Sequence, residues 1–209
     1  MSRIDLRRML PLVVLCVILS GCEGQDNPFA SSQSAKVQYR PGEAGTVDHA
    51  LCLLGFVHVP IRNVRPGHQL VEARINGVVG DFLLDTGANV TVVSAVHAER
   101  FGLSQAAGGV LGAGVARIAG ASGAGRQVRV DSFTLGDIDI RQRRVLVADL
   151  GPLLETLGDA AGREVYGIIG QDVMNDHRAV IDVARPMLHM RRDDSDPAPV
   201  ASARCEPRG

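Results

Sequence analysis

Alternating apolar and polar positions dominate the middle of the chain. VEARI at 71–75, then Asn76 and Gly77, then VVGDFLL at 78–84 predict a β-hairpin, because Asn and Gly tolerate the positive φ of a two-residue turn. VTVV at 90–93 predicts a further strand, and SAVHAERFG at 94–102 a short helix with Ser94 as N-cap and Gly102 closing it. QVRVDSFTL at 127–135 alternates, turns at Gly136 and Asp137, and continues as DIDI. RRVLVADL at 143–150 predicts a strand and PLLETLG at 152–158 a helical turn. YGIIG at 166–170, a short helix at 171–176 (QDVMND), HRAVIDV at 177–183 and a closing strand over Met187–Met190 complete the body. Glycine is frequent from Gly108 to Gly125, which marks a mobile loop or a hairpin tip. Short strands at this spacing predict a mainly β domain, either a closed barrel or a sandwich.

The ends of the chain lack this periodicity. MSRIDLRRMLPLVVLCVILSGC opens with Arg3, Arg7 and Arg8 before an apolar stretch from Met9 to Leu19. That stretch is short for a membrane span but suits the apolar region of an export signal. Leu19, Ser20, Gly21 and Cys22 resemble the lipobox of bacterial lipoproteins. The resemblance implies that residues 1–21 are a removed signal, that Cys22 carries the lipid, and that the protein is anchored on the extracytoplasmic face of the bacterial cell envelope. Residues 22–50 are polar and rich in Ser, Pro and Gly, which predicts a flexible tether. Residues 191–209 read as a disordered tail, leaving 51–190 as the folded domain.

The 209 residues are 45% hydrophobic, enough for one core, and the formal net charge is -1. That balance argues against a nucleic-acid partner. Aromatics make up 3% and Trp is absent, which disfavours base- or sugar-stacking platforms. Lys36 is the single lysine, and Gly112, Ala113 and Gly114 lack the further glycine of a dinucleotide loop, so nucleotide binding has little support. With Cys16 in the signal and Cys22 acylated, Cys52 and Cys205 remain. An exported pair can form a disulfide tying the tail to the start of the domain, and two free thiols is the alternative. No CxxC and no His pair at ligand spacing occurs, so no metal site and no cofactor is expected.

The chemistry centres on FLLDTGANVT at 82–91. An unpaired charge between two apolar flanks is costly, so Asp85 is either placed for chemistry or caps a loop. The phrase DTGA at 85–88, entered and left by apolar strands, resembles the catalytic loop of retropepsin-like aspartic peptidases. YGIIGQDVM at 166–174, about eighty residues on, is similar to the late apolar strand and short helix of the same family. The resemblance implies a retropepsin-like closed β-barrel with one or two short helices, and a hydrolase that cuts peptide or protein substrates.

Peptide hydrolysis needs one group to take a proton from water and another to give one to the carbonyl oxygen. Two close carboxyl groups sharing a proton do both. By resemblance, Asp85 is catalytic, Thr86 bonds across to its symmetry mate, and Gly87 lets the second backbone approach. Ala88 and Asn89 match cleft-lining positions, although many relatives carry Asp or Ser where this chain has Asn89. The chain holds a single such loop, and Asp172 and Asp182 lack the turn that would aim them. A homodimer with Asp85 from each protomer is therefore expected. ARIAGASGAGRQVRV at 116–130 would form the flap, with Gly120–Gly125 at its tip and Gly120, Ala121, Ser122 and Gly123 facing substrate. His97 is expected on an exposed helix face, His177 and His189 at strand ends, and Asp137 and Asp139 on turns or strand surfaces. The alternative function is a non-catalytic envelope lipoprotein that binds peptides or a protein partner in the same cleft.

Overall fold

The Asn76–Gly77 turn sets the centre of the molecule. In the computed structural model Asn76 has φ 49° and Gly77 φ 81°, so the strands β2 (His68–Ile75) and β3 (Val78–Leu84) close directly onto each other with Ile75 opposite Val78. The Asn76 amide then works in two directions. Its Nδ2 donates to the Phe101 carbonyl at 2.9 Å, and its Oδ1 accepts from the Asp131 and Ser132 N–H groups at 2.8 and 3.2 Å. The structure describes residues 46–65, 67–103, 110–118, 121–193, 200–201 and 204–205, with 110–123 by their backbone alone. They belong to one of two compact units of the chain, Arg40–Gly209; the described residues contain none of the other, Met1–Tyr39.

The remaining elements follow in chain order: α1 (Val47–Leu53), β1 (Val57–Val64), β4 (Val92–Ser94), β5 (Val110–Ile118), β6 (Ala121–Arg129), β7 (Phe133–Leu135), β8 (Ile138–Asp139), β9 (Arg144–Ala148), α2 (Gly151–Ala161), β10 (Gly167–Ile169), α3 (Gln171–Asp176), β11 (Val180–Asp182) and β12 (Met187–Met190). The main sheet runs β11-β12-β1-β2-β3-β10-β4-β9-β6-β5, with β7 and β8 attached off β2. Strand β10 lies parallel to β3 and antiparallel to β4, and so fills the space between the two strands that flank the DTGA loop.

The expected closed β-barrel is overturned. The sheet is open, with β11 at one end and β5 at the other, and the fold is mixed α/β, with three α-helices and two short 3-10 elements, Ala95–His97 and Glu99–Phe101, among the described residues where one or two short helices were expected. The physical reason is that the central strands are apolar on both faces. Phe82 and Ile169 belong to one buried cluster with Phe101, Phe133 and Leu188, whereas Leu83 and Ile168 belong to a second with Val92 and Leu146. Leu154 and Leu157 of α2 join that second cluster. A barrel buries one face of its sheet around a single interior; here a helix covers the other face as well. Helix α2 spans eleven residues, longer than the single turn expected, and ends at Gly162 with φ 63°.

Two local expectations also change. SAVHAERFG forms two 3-10 turns, Ala95–His97 and Glu99–Phe101, rather than an α-helix, and the Ser94 side chain makes no cap bond. Gly102 does close it, at φ 68°. At the N-terminal side, α1 starts inside the stretch read as tether; Thr46 caps it by accepting from the His49 N–H at 3.2 Å. Cys52 of α1 is disulfide-bonded to Cys205, and the Val200 N–H donates to the Leu53 carbonyl at 2.7 Å, so two points of the C-terminal segment are held on this helix.

Candidate active site

Strand β3 ends at Leu84, and the backbone of the next seven residues is held from behind by β10 and α3. The Asp85 N–H donates to the Ile169 carbonyl at 3.1 Å, which carries the β3–β10 pairing one residue past the strand. The Gln171 N–H donates to the Ala88 carbonyl at 2.8 Å, and Gln171 Nε2 donates to the Thr86 carbonyl at 2.6 Å. Ala88 is fully buried, while Thr86, Gly87 and Asn89 are exposed. The loop is thus anchored at its inner residue and presents its outer ones.

Close packing behind the loop depends on two glycines. A Cβ at Gly167 would sit 2.1 Å from the Val92 carbonyl oxygen, and one at Gly170 would sit 2.5 Å from both the carbonyl carbon and oxygen of Val90. No side chain fits at either position, so IIG and its neighbours are required for β10 to reach the loop.

The Asp85 carboxylate is half-buried and accepts the Gly87 N–H at 2.7 Å on Oδ1. The loop carbonyl of Asp85 accepts the Ala88 N–H at 3.2 Å, which closes the turn. The carboxylate is thus tied to the backbone of its own turn. Two other aspartates considered from sequence, Asp172 and Asp182, are engaged elsewhere. Asp182 pairs with Arg185, its Oδ2 accepting from Nε at 2.6 Å. Asp172 accepts from both the backbone and the hydroxyl of Thr91.

Beside the loop, Thr86, Gln171, Met174, Arg178 and Ile181 line a cavity of about 530 Å³. A larger one of about 660 Å³ lies at the far end of β4, among Ser94, His97 and α2, away from Asp85. The stretch expected to form a flap, 116–130, overlaps β5 and β6, which pair from Val110↔Val128 to Ile118↔Ala121. Gly120 lies outside the described residues. Ala121, Ser122 and Gly123 lie on β6, opposite Ile118, Arg117 and Ala116, and Gly125 pairs with Gly114 well inside the hairpin. Cys22 also lies outside the described residues.

Of the histidines, His97 departs from the exposed helix face expected of it, while His189 lies on β12 next to its last residue. His97 is half-buried and 3.6 Å from Glu164. His177 is fully buried, and its Nδ1 donates to the Arg191 carbonyl at 2.7 Å. His189 is 1% exposed, its Nδ1 lies 3.0 Å from His58 Nδ1, and its Nε2 lies 3.1 Å from Asp48, itself 1% exposed. That last contact is a close approach rather than an aligned hydrogen bond. Sequence reasoning missed Asp48, Thr91 and Gln171. A polar Thr inside the apolar run VTVV was the available signal for Thr91. Among the described residues no group of three or more His, Cys, Asp or Glu side chains is placed to hold a metal ion.

Comparison with known proteins adds to this geometry. Residues 71–173, from β2 to α3, match a protein-family model described as aspartyl protease. Solved structures similar to the chain include a retropepsin-like aspartic protease from Rickettsia conorii, 17% identical, with a TM-score of 0.42 over 65% of this chain and 89% of the other. The retroviral protease-like domain of Ddi1 from Leishmania major is 18% identical, with a TM-score of 0.38 over 63% of this chain and 92% of the other. EIAV protease, in complex with the inhibitor HBY-793, is 24% identical, with a TM-score of 0.35 over 54% of this chain and 89% of the other. The search of curated proteins returns no match.

Proposed function

We propose that this chain is an aspartic endopeptidase whose catalytic carboxylate is Asp85. The observation that carries the reading is the Asp85 loop itself: a half-buried carboxylate bonded to the Gly87 N–H, on a backbone pinned to Ile169 and Gln171, within the segment that matches the aspartyl protease family model. One loop supplies one carboxyl group, so the reading includes a homodimer in which Asp85 of each protomer shares a proton on the two-fold axis. The ionised carboxylate then takes a proton from water as its oxygen attacks the scissile carbonyl carbon. The protonated one gives its proton to the carbonyl oxygen, and collapse of the intermediate breaks the C–N bond to leave a carboxylic acid and an amine.

Thr86 and Gly87 support the dyad in this reading, Ala88 and Asn89 border the substrate, and Gly120, Ala121, Ser122 and Gly123 face an extended peptide. The lipobox at Leu19–Cys22 supports a lipid anchor on the cell envelope. A peptide-library digestion with wild type and Asp85→Asn, with and without a statine-type transition-state mimic, tests the assignment. Cleavage by wild type alone, blocked by the mimic, is expected; undiminished cleavage by the variant refutes it.

The second reading is a peptide- or protein-binding lipoprotein. It is favoured by the engagement of Asp172 with Thr91 and of Asp182 with Arg185, so that neither of these two is free to serve as a second carboxyl group beside Asp85. Sedimentation at working concentration separates the two, since a persistent monomer that binds peptides without cutting them supports the binder.

A further inference from the structure

Asp172 stands one residue into α3, and its carboxylate is directed at the chain that leaves the Asp85 loop. Oδ2 accepts the Thr91 N–H at 2.9 Å, and Oδ1 accepts both the Thr91 hydroxyl at 2.8 Å and the Val173 N–H at 2.8 Å. The Thr91 hydroxyl oxygen in turn accepts the Gly170 N–H at 3.2 Å. Thr91 is fully buried, so water cannot replace these partners. The same short segment supplies the Ile169, Gln171 N–H and Gln171 side-chain bonds to Asp85, Ala88 and Thr86. Residues 169–172 therefore grip the loop at both ends, with Asp172 holding its exit and Ile169 its entrance.

Both oxygens of Asp172 act only as acceptors, and all three partners are donors. A carboxamide cannot reproduce this. With its oxygen in the place of Oδ1, its NH₂ faces the Thr91 N–H; flipped, the NH₂ faces the Val173 N–H.

We infer that Asp172, acting through Thr91, is a positioning residue that fixes the direction of the Asp85 carboxylate for hydrolysis, an inference that rests on the reading of Asp85 as the catalytic group. Asp172 does not touch substrate. It sets the exit of the loop, and a misdirected Asp85 lowers the rate of the chemical step while leaving peptide binding in place.

The test uses the full chain with Asp172→Ala, Asp172→Asn, Thr91→Val and Thr91→Ser, read by steady-state cleavage and by amide hydrogen exchange. Asp172→Ala is expected to lower kcat by about 100-fold and Asp172→Asn by about 10-fold, with KM within about twofold. Thr91→Val, which keeps the shape without the hydroxyl, lowers kcat, and Thr91→Ser restores it to within about threefold. Exchange at the Gly87 and Ala88 amides accelerates by about 10-fold in Asp172→Ala and Thr91→Val while Ile61 and Val71 stay protected. Wild-type kinetics in Asp172→Asn and Thr91→Val, or loss of protection spread evenly over the domain, overturns the inference. A wild type that cuts nothing defeats the hydrolytic reading, and the exchange result still decides whether Asp172 holds the loop. If Asp172→Ala does not fold, the Thr91 pair gives the same decision.

Discussion

His189 Nε2 and Asp48 Oδ1 meet at 3.1 Å, and each residue is 1% exposed. The contact joins β12 to α1, and Arg185 completes it by donating from Nη1 to Asp48 Oδ2 at 3.1 Å. Burial first, and then the His58 ring, hold His189 below the ordinary imidazole value of 6.5, against the opposite pull of Asp48 and Asp182. With a depressed value in the native state, the unfolded chain binds the proton first as pH falls. Native stability is therefore complete above about pH 6.5 and declines below it, down to the native value, by at most about 1.4 kcal/mol per pH unit. Urea unfolding from pH 8 to 5 should show this decline in wild type and a shallower one in His189→Gln. Equal slopes in the two proteins would remove His189 as the cause.

Asp48 offers a second measurement. Replacing it by Ala strands a buried imidazole and removes one partner of Arg185, whose side chain is 29% exposed and can find water. The expected loss is about 1–3 kcal/mol, the cost of leaving a buried polar group without its partner. Chemical denaturation at pH 7 reads this directly, and a change within about 0.5 kcal/mol, the usual range for surface substitutions, would contradict the packing described.

Asp172 should behave oppositely to His189 with pH. Burial holds its carboxyl above the ordinary aspartate value of 3.8, against the hydrogen bonds from Thr91 and Val173. A raised carboxyl value means the native state takes up the proton first, so wild type gains stability relative to Asp172→Asn as pH falls from above the native value toward 3.8. The gain is at most about 1.4 kcal/mol per pH unit. Thermal unfolding of both proteins between pH 7 and 4 checks the sign, and a widening deficit of wild type toward acid would refute it.

The Cys52–Cys205 disulfide closes a sequence separation of 153 residues. Constraint of so long a loop in the unfolded chain is worth about 2–5 kcal/mol. A Cys52→Ser, Cys205→Ser double variant should lose stability in that range and release the Val200 amide, bonded to Leu53, to faster exchange. An unchanged unfolding midpoint would mean that the bridge adds nothing to the native fold.

Gly167 tests the inserted strand. An alanine methyl at this position would lie 2.1 Å from the Val92 carbonyl oxygen and 3.0 Å from the Phe82 ring, so Gly167→Ala must separate β10 from β4. A loss of about 1–3 kcal/mol is expected from overpacking, together with disordering of the Asp85 loop, read as faster exchange at Gly87. A stable variant with a protected Gly87 amide would show that the strands can part without cost.

Much of the framework was written in local pattern. The Asn76–Gly77 hairpin, the apolar run ending at Asp85, the glycine closing at Gly102 and the strand at 167–169 each depend on a few neighbouring residues, and each occurs where those residues place it. Their signals are backbone conformation and side-chain alternation, which act over about one to eight positions. Closure of the sheet is not such a property. Strand spacing suited a barrel, but whether β5 meets β11 depends on what covers the sheet, and α2 covers it through Leu154 and Leu157.

The sequence by itself determined the Asp85 turn, because an aspartate and a glycine between two apolar strands leave the chain few other conformations. Only the tertiary structure decided what holds that turn, since Gln171 and Asp172 lie more than 80 residues from Thr86 and Thr91 and no local preference can bring them together. The same is true of Asp48 and His189, separated by almost the whole folded unit. Their burial follows from α1 packing on β12, and a charge that reads as surface in the sequence becomes interior only when the two elements meet.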